Sequence, residues 1–173
     1  MQLLTFTVAG QHYAIESRRV IEVLPLVPAR PIPLLPDYVL GILTYRGQLV
    51  PLVDLRRRFG VGDAAPAIRP RLSTRVIIVE FVPLRTATTS GTEPEDRSEA
   101  PVRLGLVAED VVSIQSAEAA DVSGSALDLG HARFLGRILR LGGSTVQVIA
   151  VEHLLPEDLL AGIFPPASGA RGA

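Results

Sequence analysis

Three histidines, His12, His131 and His153, are the first candidates for proton transfer or metal ligation, and no two stand at the i, i+3 or i, i+4 spacing that sets ligands on one helix face. Their scatter argues against a metal site. Glu109 and Asp110 are adjacent carboxylates, but neighbours in an extended chain point to opposite sides, so they read as a polar corner before a strand, the counterpart of Arg18-Arg19. There is no cysteine nucleophile, no G-x-S-x-G, no P-loop and no G-x-G-x-x-G. Nothing in this inventory argues for an enzyme or for a cofactor. The remaining candidates are cations: Arg56-Arg57-Arg58 on one short turn, and Arg46 between two apolar runs. Both are ordinarily solvated residues.

Arg46 is positioned by the stretch around which the chain is organised, Tyr38 to Gly60. Apolar runs from Val39 to Tyr45 and Leu49 to Val53 flank Arg46-Gly47-Gln48, where glycine supplies the positive φ of a tight hairpin turn. Neither run alternates cleanly, so both faces of this β-hairpin should be covered. Pro51 cannot donate to a ladder, which places it at an edge or a bulge. Asp54 is an N-cap candidate for one helical turn, Leu55 to Phe59, that Gly60 ends. Gly41, inside an apolar strand, needs either a bulge or the close approach of another backbone.

Upstream, Leu3 to Val8 and His12 to Ile15 form a first hairpin turned at Gly10-Gln11, and Val20 to Leu24 is a further strand. Five prolines between Pro25 and Pro36 make an extended crossover, since each lacks a donor and fixes φ. Downstream the pattern repeats. Arg75 to Phe81 matches the opening strand, Val102 to Val107 the return strand, Val111 to Ile114 the run at Val20, and Phe134-Leu135-Gly136 the run at Gly41. Arg137 to Leu141, Gly142-Gly143 and Thr145 to Val151 supply a second hairpin, after which Glu152 takes the place of Asp54 and Leu154-Leu155 that of the short helix. The reading is two similar small β-barrels, the first mainly from 9–70 and the second mainly from 72–155, within one domain over 1–164. Neither would be secure alone, so they should share an interface. A segment over 82–101, rich in Thr, Ser, Glu and Pro, reads as a mobile insertion between the Arg75 to Phe81 and Val102 to Val107 strands, where the first half needs only Gly10-Gln11. Pro156 to Ala161 reads as a short helix, and 165–173 as a tail.

Composition narrows the function classes. A net charge of −1 provides no global field for nucleic acid, and 5% aromatic residues provide few stacking platforms. No run approaches the eighteen apolar residues of a membrane span and the amino terminus lacks a basic leader, so the expectation is a soluble, cytoplasmic protein.

These residues carry a resemblance. Val20-Ile21-Glu22-Val23, the proline-bearing crossover and G-I-L-T-Y-R-G-Q-L-V-P-L-V-D-L-R-R-R-F-G from Gly41 to Gly60 are similar to the CheW family of chemotaxis adaptors. The similarity continues through R-V-I-I-V-E, G-L-V-A-E-D-V and the Gly136 to Leu155 repeat. It implies an all-β fold of two tandem five-stranded SH3-like barrels with short helical turns. It further implies a non-catalytic adaptor that couples methyl-accepting chemoreceptors to the regulatory domain of a CheA-type histidine kinase and is recruited to receptor arrays. The family's receptor-coupling residues fall on Val20, Glu22, Gly41 and Arg46, with the glutamate and arginine expected to pair. Thr44-Tyr45-Arg46-Gly47 stands where the family usually has Asn-Leu-Arg-Gly, and Ala108-Glu109 where it has Val-Asp. Those departures resemble adaptors of Wsp-type surface-sensing systems. The alternative function is a ligand-binding β-barrel domain in which Arg46 is an anion contact.

Overall fold

The computed structural model describes residues 1–61, 71–83, 101–117, 122–123 and 132–164. The strands are β1 (Gln2–Val8), β2 (Gln11–Glu16), β3 (Val20–Pro25), β4 (Val39–Tyr45), β5 (Gln48–Asp54), β6 (Arg75–Phe81), β7 (Val102–Ser116), β8 (Val122–Ser123), β9 (Leu135–Leu141) and β10 (Ser144–Ile149). Two short helices, α1 (Leu55–Phe59) and α2 (Glu157–Ile163), follow β5 and β10. Most of 82–101, all of 165–173 and His131 lie outside the described residues.

The fold is all-β, two SH3-like barrels, as expected. Strands from both sequence repeats are shared between the two barrels. One barrel takes β3, β6, the first half of β7, β5 and β4, and the other takes the second half of β7 with β1, β2, β10, β9 and the short β8. The hairpin that opens each sequence repeat therefore completes the barrel built by the other repeat. Two matching parallel contacts make the exchange: β5 on β7 (Leu52↔Gly105, Val53↔Leu106) and β10 on β2 (Gln147↔Tyr13, Val148↔Ala14). Sequence repeats mark equivalent strands, but hydrogen bonding decides which strands close a barrel.

The exchange leaves strands buried on both faces. On β1, Leu3 packs inside its own barrel while Leu4, Phe6 and Val8 face the other one; on β6, Val76 and Ile78 face inward and Ile77, Val79 and Phe81 outward. The largest apolar cluster is the one between the barrels, where strands of both meet Phe134, Leu154, Leu155 and Leu160. Burial of apolar surface at about 25 cal/mol per Å² makes this shared cluster the main cohesion of the unit. β7 links the barrels directly, bending at Asp110 (φ 45°), whose carboxylate accepts from the Thr7 hydroxyl at 3.2 Å. The expected polar corner at Glu109-Asp110 is thus a bend inside one continuous strand.

Among the described residues, three hairpins turn on two residues with positive φ: Ala9-Gly10 (49° and 78°), Arg46-Gly47 (48° and 76°) and Gly142-Gly143 (54° and 85°). The first turn is one residue earlier than the Gly10-Gln11 expected. Pro51 stands opposite Ile42, whose N–H and C=O both go to Arg30, and precedes the parallel ladder to β7 that begins at Leu52, so β4 asks no donor of it. Asp54 caps α1 by accepting from the backbone N–H groups of Arg56 (2.9 Å) and Arg57 (3.4 Å), and Gly60 ends it at φ 63°. Its expected counterpart differs: the turn Val151–His153 is capped by Ala150, which has no acceptor side chain, and Glu152 instead approaches Arg19 at 3.6 Å.

Candidate protein-binding face

The proline-bearing crossover delivers the chain to β4 by a backbone bridge. Arg30 N–H donates to Ile42 O (2.8 Å) and Ile42 N–H to Arg30 O (2.9 Å), which partly closes the seam that β3 and β4 leave in their barrel. Gly41 makes the bridge sterically allowed. It lies at φ 141°, beside a register shift in β4, and a Cβ there would stand 2.2 Å from Arg30 O. Both of the reasons that glycine in a strand requires are present, a bulge and a close backbone. Gly41 is buried beneath Arg30 and Pro31, so it shapes the face from below instead of lining it.

Higher on the same seam, side chains bridge what the backbone does not. Arg46, at the turn of the β4–β5 hairpin, donates from Nη2 to Glu22 Oε2 on β3 at 2.9 Å. The expected pairing of these two residues is present. The same carboxylate oxygen accepts the Tyr45 hydroxyl at 2.5 Å, and the Arg46 guanidinium lies over the Tyr45 ring, 5.1 Å from its centroid. Donating to that carboxylate holds the Tyr45 hydroxyl above its ordinary pKa, because ionisation would forfeit the bond and set two anions together. Tyr45 is itself buried in the barrel interior with Leu43, Val50 and Leu52, so the pair is anchored through a rigid ring. The sequence signal for Tyr45 was its hydroxyl at the last position of an apolar strand, next to Arg46.

The four expected site residues do not form one surface. A register shift at Ile21 separates Val20, which pairs with Val79, from Glu22, which pairs with Ile78. The bulge turns Val20 toward the cluster between the barrels and Glu22 toward the rim of its own barrel. Glu22 and Arg46 meet, Gly41 supports them, and Val20 faces elsewhere.

The triple arginine of α1 is also not a single solvated face. Arg57 donates to Asp37 O at 2.9 Å and approaches Asp54 at 3.5 Å. Arg58 donates to Leu154 O at 2.6 Å, with its guanidinium 4.3 Å from the Phe134 ring centroid and 5.3 Å from that of Tyr38. Burial lowers its pKa, though an arginine remains charged. Arg58 and Phe59, which stacks on Phe134 at 5.2 Å, clamp the barrels together.

A family model for the CheW-like domain matches residues 2–159. A "Chemotaxis protein CheW" of Rhizobium meliloti is 37% identical over 84 residues, 49% of this chain and 51% of that one. One of Treponema pallidum is 36% identical over 63 residues, 36% of this chain and 37% of that one, and "Protein FrzA" of Myxococcus xanthus is 31% identical over 71 residues, covering 41% and 44%. These matches thus span about half or less of the relatives' length. The crystal structure of the scaffolding protein TtCheW from Thermoanaerobacter tengcongensis superposes with a TM-score of 0.65 over 90% of this chain and 87% of that one, at 21% identity, a likeness of fold. With nearly its whole length matched by that family model, the chain belongs to the CheW-like domain family.

Proposed function

We propose that this protein is a non-catalytic adaptor of a bacterial chemosensory system, joining the cytoplasmic tip of methyl-accepting chemoreceptors to the regulatory domain of a CheA-type histidine kinase. The observation that carries the reading is the Glu22–Arg46 pair, held exposed at a barrel seam by Tyr45, in a chain of this family. The Rhizobium meliloti and Treponema pallidum relatives are named chemotaxis proteins, and TtCheW is named a scaffolding protein. Work of this kind needs a shaped face and no reacting group. The adaptor acts in the cytoplasm at receptor arrays; among the described residues no helix is long and apolar enough to cross a membrane.

The rival, a ligand-binding barrel with Arg46 as anion contact, is weakened by Glu22, which already neutralises that guanidinium. A cleft of about 410 Å³ on the other barrel is lined by Arg18, Arg19 and Arg137 together with Glu16 and Glu152, which face Arg18 and Arg19, and Arg46 does not line it. The test presents the immobilised chain with a purified kinase regulatory domain and a receptor tip fragment, separately and together. Retention of each, and of both at once, is expected. If neither is retained while a small anion raises the melting temperature, the ligand-binding reading replaces this one.

A further inference from the structure

Both bonds to Glu22 fall on one oxygen. Tyr45 and Arg46 each donate to Oε2, while Oε1 has no donor among the described residues and the side chain is 37% exposed. Arg46 in turn spends one Nη2 donor on the pair and is 66% exposed, its other N–H groups having no acceptor among the described residues. Because Oε1 shares a carboxylate with Oε2, and the remaining N–H groups share a guanidinium with Nη2, an unused acceptor and unused donors belong to one bonded pair, each a single group removed from the Nη2–Oε2 contact. The Tyr45 hydroxyl, on a ring buried in the barrel, occupies Oε2 together with Arg46 and leaves Oε1 without a donor among the described residues.

From this we infer that the pair recognises a side-chain carboxamide, an Asn or Gln of the receptor, whose NH2 donates to Glu22 Oε1 and whose carbonyl accepts from Arg46. The inference rests on the adaptor reading and specifies the chemistry of its partner. A carboxylate in the same place would have to compete with Glu22 for Arg46 and be repelled by it, and an ammonium would meet the reverse obstacle. A neutral group with one donor and one acceptor side by side meets neither. Both new hydrogen bonds would involve a charged group, the stronger kind.

The test measures binding of a receptor tip fragment to the full chain, with each Asn and Gln of the fragment replaced in turn by Ala and, as a second arm, each Asp and Glu. One carboxamide replacement should weaken binding to the wild type about tenfold, the scale of a lost charge-assisted hydrogen bond. The same replacement should have little further effect on Arg46→Gln or Glu22→Gln, whose folding is verified by melting temperature. A coupled acidic residue, or no coupled carboxamide while Arg46→Glu still abolishes binding, overturns the carboxamide and spares the adaptor reading. A wild-type chain that does not bind the fragment overturns both.

Discussion

The carbonyl oxygen of Arg30 lies 2.2 Å from where a Cβ on Gly41 would be, closer than any real side chain tolerates, and the obstacle is backbone held by two hydrogen bonds of its own. Gly41→Ala should therefore break the Arg30–Ile42 bridge and strain φ, at a cost of about 3 kcal/mol or more. At the matching place a Cβ on Gly136 would meet Val148 O at 2.9 Å, a milder clash without a positive φ, so Gly136→Ala should cost less. Chemical denaturation of both variants gives the ordering. A Gly41→Ala protein as stable as wild type would remove the structural reason for this glycine, and Gly41→Asp should lose binding by failing to fold.

Asp54 offers a pH dependence. Burial raises its carboxyl above the ordinary 3.8, against the lowering effect of the Arg57 and Arg56 backbone donors and of the two arginine charges. A raised folded-state pKa means that the contribution is fully present below the unfolded value and is lost as pH rises through the folded one. Asp54→Asn keeps an acceptor oxygen for the cap and removes the titration, so the stability of wild type minus variant should fall with rising pH above 3.8. Asp54→Ala, which removes the cap, should cost about 1 kcal/mol. A wild-type advantage over Asn that grows with pH in that range would show the carboxylate to be net stabilised.

Arg58 has no carboxylate within ion-pair distance among the described residues; its partners are two ring faces and a carbonyl. Arg58→Ala should cost about 2 kcal/mol through lost stacking and the stranded Leu154 carbonyl. Arg58→Lys should recover only part, because an ammonium lacks the planar fork. The loss should be nearly equal at low and high salt, since the site is half-buried. A cost that disappears in high salt would point to a charge partner instead.

Local features were legible where one residue type suffices: the Asp54 cap, the Gly60 stop and the Arg46-Gly47 turn follow from conformational preference. Only β5 from Val50 onward is buried on both faces, whereas β4 alternates between buried and half-exposed residues, with Thr44 and Leu49 exposed. The repeat was legible as well, but not the exchange of hairpins, because Leu3–Val8 packs equally well by pattern against either barrel and only long-range hydrogen bonds choose. The bulge at Ile21 left no mark in an apolar run, so Val20 and Glu22 read as one face when they are not. The Glu22–Arg46 pair came from resemblance; the hydroxyl of Tyr45 beside Arg46 was visible in the sequence, but its bond to Glu22 depends on the fold bringing β3 and β4 to one seam.

The central claim is that Glu22 and Arg46 act as a pair in receptor coupling. The most direct measurement is a charge-exchange cycle, with Glu22→Arg, Arg46→Glu and the double exchange tested against a receptor tip fragment and a kinase regulatory domain. Each single change should alter stability by only about 1 kcal/mol or less, since the pair is largely exposed. Each should weaken receptor binding about tenfold or more, leave kinase binding unchanged, and be partly rescued in the double exchange. Additive losses with no rescue, or folded single variants that bind the receptor like wild type, would contradict the account.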